Sequence, residues 1–174
     1  MMHALHSWWE GFGTEISANN LAIPRARTLA QIAERGLLIG GRLSAIKVSK
    51  DKLREAILLE LDVERPQDSA VDIKRREPIA IVFQQKDSLP EVRAVRIGFP
   101  RTIHQNYSKP SEPPWLCVDD RPWQEAKLSY TASSFVQRVQ LWLFRAAINE
   151  LHASDQPLEP IFYGNGLKLG PVLI

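Results

Sequence analysis

The sequence predicts an α+β domain: a first helix, a four-stranded antiparallel meander, an extended loop and a longer second helix. Three observations carry that expectation. Apolar residues recur at helical spacing near residue 24 and again from residue 131. Between these stretches lie short β-prone runs joined by polar turns. From 100 to 123 all periodicity stops in a proline-rich stretch that holds the chain's single cysteine, Cys117.

Residues 1–20 are aromatic without being periodic, with Trp8, Trp9 and Phe12 around Gly11 and Gly13. They read as a short helix or as an arm packed on the body. Pro24 suits the first turn of a helix, where its missing N–H costs nothing. Leu29, Ile32 and Ala33 continue that helix and Gly36 stops it, giving a helix over 24–35. The run around Leu43 to Val48 reads as the first strand, with Ser49-Lys50-Asp51-Lys52 as its turn. Residues 56–63 follow, ending in alternation of apolar and acidic side chains as a half-buried strand should. After the loop Arg65 to Ser69, Pro78 to Phe83 is apolar enough for a central strand. Val92, Ala94, Val95 and Ile97 make a fourth strand that ends at Gly98-Phe99-Pro100.

Pro100, Pro110, Pro113, Pro114 and Pro122 keep the next segment extended. A long structureless stretch in a compact domain is usually functional or disordered, and two tryptophans with a cysteine argue against disorder. Thr131 is an N-cap residue for the last helix. Phe135, Val139, Trp142, Leu143, Ala146 and Leu151 form its apolar stripe, and it is expected to end near Leu151-His152.

Composition excludes several classes. At 174 residues the chain makes one domain, with 44% hydrophobic and 24% charged residues. A formal net charge of +2 is too even to make nucleic acid or a membrane surface the main partner. The clusters Lys47-Lys50-Lys52 and Lys74-Arg75-Arg76 read as solvated strand edges and turns. No apolar run approaches the roughly 20 residues that span a bilayer, and the N-terminus lacks a signal-peptide layout. One thiol cannot form an internal disulfide, so the cytosol is the expected compartment. His3 and His6 have no third ligand nearby, so neither a metal nor a cofactor is expected.

A thiol of this kind is either a small buried hydrophobe or a nucleophile. Around it stand Phe99-Pro100, His104-Gln105-Asn106, Leu116-Cys117, Trp123 and Thr131, in that order. This ordered set resembles the ubiquitin-conjugating (UBC) superfamily, with the similarity concentrated in 99–152. There a Phe/Tyr-Pro ends the fourth strand, a His-Pro-Asn motif follows, and the catalytic cysteine comes after Ile/Leu. The ending through Trp142-Leu143 to Asp155-Gln156-Pro157 resembles the bacterial branch, whose members are encoded beside or fused to ubiquitin-activating-like enzymes, some within anti-phage systems. Gln105 stands where the motif has proline, and the stretch from Asn106 to Cys117 is longer than usual.

The resemblance implies a UBC-like domain over 21–160, an N-terminal arm over 1–20, and a tail or start of a linker to a further domain over 161–174. It implies a transferase that accepts a ubiquitin-like protein from an activating enzyme as a thioester on Cys117 and passes it to an amine on a protein target. Asn106 would stabilise the oxyanion. His104 belongs to the motif, but on its own residues it reads first as a structural side chain that packs and bonds the loop backbone. Asp119 or Asp120 would orient the incoming ammonium, and both would raise the pKa of the thiol. Bacterial members are thought to use a histidine outside the motif, which makes His152 a further candidate beside its plain reading as a helix C-terminal cation. The alternative is a catalytically silent UBC-like scaffold that binds a ubiquitin-like protein or an activating enzyme. A papain-like hydrolase fits poorly, because no helix starts at Cys117.

Overall fold

The computed structural model describes residues 4–151. Its frame is a seven-stranded antiparallel sheet, in the order β1-β2-β3-β4-β5-β7-β6. The strands are β1 Gly13–Glu15, β2 Gly41–Ser49, β3 Arg54–Asp62, β4 Arg76–Gln84, β5 Glu91–Ala94, β6 Gln105–Asn106 and β7 Trp115–Leu116. The four-stranded meander expected from the sequence is β2 to β5. The sequence missed β1, β6 and β7, each of them two or three residues long. Strands that short carry no detectable alternation and exist only because a partner strand lies beside them.

Helix α1 spans Ser7–Gly11, α2 Pro24–Glu34, α3 Trp123–Ala126 and α4 Ala132–Ala147. Pro24 opens α2, and Gly36 closes it in the left-handed conformation at φ +67°. The two amides just before α2 are satisfied from β3. The buried Glu55 carboxylate accepts from Ala22 N at 2.6 Å and Ile23 N at 2.9 Å. Thr131 caps α4 in a reciprocal box with Ser134. The expected end of this helix near Leu151-His152 is corrected: it stops at Ala147, and Asn149 turns the chain at φ +59°. Asn is among the few residues that adopt this conformation readily, which is why the apolar stripe outlasts the helix.

The two faces of the sheet are covered differently. Helices α2 and α4 bury Leu29, Ala33, Phe135, Val139 and Leu143 against Ile57, Leu59, Ile79 and Ile81. On the opposite face Trp9 and Phe12 pack on Ala56, Leu58, Ala80, Val82 and Val95. The N-terminal stretch is therefore both a short helix and a packed arm. It also extends the sheet, with Gly13 so close to Val48 that a Cβ there would lie 1.8 Å from the carbonyl oxygen. The solvated reading of Lys47 is corrected as well. Its side chain is buried under this arm, with Nζ donating to Trp9 O at 2.9 Å and lying 4.8 Å from the indole centroid.

Candidate functional site

Cys117 follows β7 directly, and its backbone N–H donates to His104 O at 3.0 Å. The β6–β7 register pairs Gln105 with Leu116 and Asn106 with Trp115. Alternation then sorts the ribbon into two sides. Leu116 and Val118 point into the helix-side core, Leu116 with 2% exposure. Trp115 and Cys117 fall on the other side, and Asn106 shares that side because it pairs with Trp115. Diagonal neighbours in such a ladder lie about 7–8 Å apart at Cα, within side-chain reach. The ribbon thus brings Asn106 to the side of the half-buried Cys117.

His104 has φ +56°, a conformation in which His is enriched among non-glycine residues. It makes the bend that starts the ribbon, and its carbonyl is the acceptor for Cys117. Gln105, which stands in the proline position of the motif, ties the same bend. Its amide donates to Pro100 O at 3.0 Å and to Thr102 Oγ1 at 3.1 Å.

Beyond the thiol the chain is pinned by Asp119. Its carboxylate accepts from Arg121 Nε at 2.9 Å and Nη2 at 2.8 Å, and lies 3.5 Å from Arg138 Nε on α4. The Arg121 hydrogen bonds, helped by the Arg121 backbone N–H and the Arg138 charge, hold this carboxyl below its ordinary value of 3.8. Asp119 is thus engaged by two arginines, whereas Asp120 beside it is exposed. His152 lies outside the described residues.

Next to this ion cluster a cleft of about 390 Å³ opens between α3 and α4, lined among others by Asp119, Arg121, Trp123, Tyr130 and Arg138. Trp123 anchors its wall. The indole N–H donates to Asp87 at 2.9 Å, and the Arg25 guanidinium lies 4.5 Å from the ring centroid. Burial pushes the Tyr130 phenol up to about 12. Among the described residues, no group of three or more His, Cys, Asp or Glu is placed to hold a metal. No described helix is long and apolar enough to cross a membrane.

Sequence reasoning missed Arg93, Arg121 and Arg138. The last two sit among ordinary surface charges in the sequence, and only the fold brings them onto one carboxylate. Arg93 lies inside a strand read as apolar, and a lone arginine amid Val92, Ala94 and Val95 was the available signal.

A mixed α/β domain with a mostly antiparallel sheet flanked by helices is compatible with an E2-like fold. Residues 25–166 match the sequence model of the prokaryotic E2 family A, and the chain belongs to that family. This makes it a bacterial E2-like protein, of a family whose theme is conjugation through an activating enzyme and a ubiquitin-like protein. No curated protein matches the sequence.

Proposed function

We propose that this protein carries a ubiquitin-like protein, or another protein C-terminus, as a thioester on Cys117 and transfers it to an amine. The observation that carries the reading is the match of residues 25–166 to an E2 family, a span that includes the chain's single cysteine. In the first step the Cys117 thiolate attacks the carbonyl carbon of the modifier's thioester on the activating enzyme. A new S–C bond forms, and the activating enzyme's thiolate leaves. In the second step a neutral amine attacks the Cys117 thioester. The tetrahedral intermediate collapses to an amide, the amine's proton passes to solvent or a nearby base, and the Cys117 thiolate leaves.

The surrounding residues take roles consistent with their surroundings. Asn106, on the same side of the ribbon as the thiol, donates to the oxyanion, a contribution worth roughly 10²–10³ in rate in other enzymes. His104 acts through its backbone, which sets the bend that carries Asn106. Asp119 fixes the chain after the thiol through Arg121 and Arg138. Of the two adjacent carboxylates, the exposed Asp120 is the one available to an incoming ammonium.

The test is reconstitution with the cognate activating enzyme, ATP and the ubiquitin-like protein. A reductant-sensitive adduct is expected on the wild type and absent in Cys117→Ala, whereas Cys117→Ser gives an adduct that resists reductant. Full conjugation by Cys117→Ala overturns the reading. A thiol that reacts with iodoacetamide only after unfolding supports the silent scaffold instead.

A further inference from the structure

We propose that Arg93 is a positioning residue for Cys117 and that the N-terminal arm completes the site through it. The inference rests on the thioester reading for its functional meaning, but its physical content stands on the arrangement of three side chains.

Strand register lays a transverse row across the face opposite the two long helices. Ala45 pairs with Leu58, Leu58 with Ala80, Ala80 with Arg93, Arg93 with Trp115, and Trp115 with Asn106. The row is apolar until Arg93 and then turns to the side of the ribbon that bears Cys117. Main-chain pairing at this junction is minimal: one register pair, Arg93 with Trp115, and the bond from Ala94 N to Pro114 O at 3.0 Å. The Arg93 side chain supplies the rest of the attachment. Its Nε and Nη2 donate to Glu91 Oε2 at 3.2 and 3.0 Å, and its Nη1 donates to Pro113 O at 3.2 Å. Nη1 also lies 3.5 Å from Glu112 Oε2. The guanidinium carbon is 5.0 Å from the Trp115 ring centroid and 5.9 Å from that of Trp8.

A planar cation with donors on several edges can bond two carboxylates and a carbonyl while its face meets aromatic rings, and a lysine cannot. Burying such a charge is costly unless every contact is made, so an arginine here fixes one geometry more than it adds stability. The geometry it fixes is the path of Glu112 to Trp115, the strand that delivers Cys117. Trp8 belongs to the arm, which lies outside the family match at 25–166. Loosening it exposes the thiol to small reagents while misaligning it for a protein thioester.

Two readouts should therefore move in opposite directions. In Trp8→Ala and Arg93→Lys, native-state alkylation of Cys117 by iodoacetamide should rise and thioester loading should fall, each by about tenfold, the scale of a sub-ångström to ångström misplacement. Trp8→Phe keeps a ring face and should restore both. Ile81→Val, on the helix side of the sheet, should lower the melting temperature and leave alkylation unchanged, which separates positioning from general destabilisation. If Arg93→Lys fails to fold, Trp8→Ala decides. Alkylation by a folded Trp8→Ala at the wild-type rate overturns the proposal. A wild type that loads no thioester defeats the functional reading alone, because the alkylation comparison still reports on Arg93.

Discussion

Leu116 is the anchor that keeps the thiol ribbon on the domain, and Leu116→Ala measures that anchor. The two strands of the ribbon, β6 and β7, are each two residues long, so few backbone hydrogen bonds hold them. Each such bond contributes about 1 kcal/mol net. The Leu116 side chain, 2% exposed in the helix-side core, outweighs any one of them. Truncation removes about three methylene-sized carbons at roughly 0.8 kcal/mol each, a loss of about 2.4 kcal/mol from transfer alone. A residual cavity brings the expected cost into the range of about 2–5 kcal/mol. Against a total stability of about 5–15 kcal/mol the domain still folds. Because this side chain is the ribbon's main apolar attachment, beside the polar one through Arg93, most of the loss should appear as local opening. A change of 2.4 kcal/mol multiplies the open population by about 50. Amide exchange over 104–118, including the Cys117 N–H bonded to His104 O, should accelerate by that factor, while α2 and the central strands change less. The assay is native-state hydrogen exchange read by mass spectrometry, paired with urea unfolding. Wild-type exchange over 104–118 together with a stability loss under about 1 kcal/mol would refute the reasoning.

Tyr130 should titrate near 12 in an ultraviolet pH titration, and that step should vanish in Tyr130→Phe. The raised value means that the fold prefers the neutral phenol. Its contribution to stability is complete below the unfolded value of about 10 and is lost as pH rises towards 12. The carboxyl of Asp119 is shifted the other way, below 3.8, so the stability it supplies is present above that pH and is lost as the pH falls through the lower folded value. Asp119→Asn should flatten this acid limb in denaturation curves and cost about 1–2 kcal/mol at neutral pH, because the partner arginines are partly exposed and screened. Thr131→Ala removes the side-chain half of the capping box, the bond from Ser134 N–H to Thr131 Oγ1, and should cost about 1 kcal/mol in thermal unfolding, with Thr131→Asn close to wild type.

What lay open in the sequence was whatever is decided within a few residues. Proline and glycine bracketed α2 to within a residue, because φ is fixed by one and freed by the other. The threonine that starts α4 was evident because capping is a contact three residues long. The meander was legible because apolar runs long enough to fill a central strand leave few other choices. The cysteine's place after the last long strand was visible for the same reason, as was the ordered set that resembles the ubiquitin-conjugating superfamily.

The site's construction was not legible, because its parts meet only through long-range pairing. Two-residue strands have no period, and β6 and β7 form because β5 offers an edge. That pairing, not the motif spacing, puts Asn106 on the side of the ribbon that holds Cys117. Asp119 looked like a carboxylate available to an amine until the fold brought Arg121 and Arg138 onto it. Lys47 looked solvated until the aromatic arm closed over it. The sequence by itself determined the order of the long elements, their punctuation and the one thiol that could carry chemistry, since these follow from local sterics and hydrophobic period. Only the tertiary structure decided which side of the ribbon the thiol occupies and which charges surround it, because register and burial belong to pairs of segments and to no single stretch of chain.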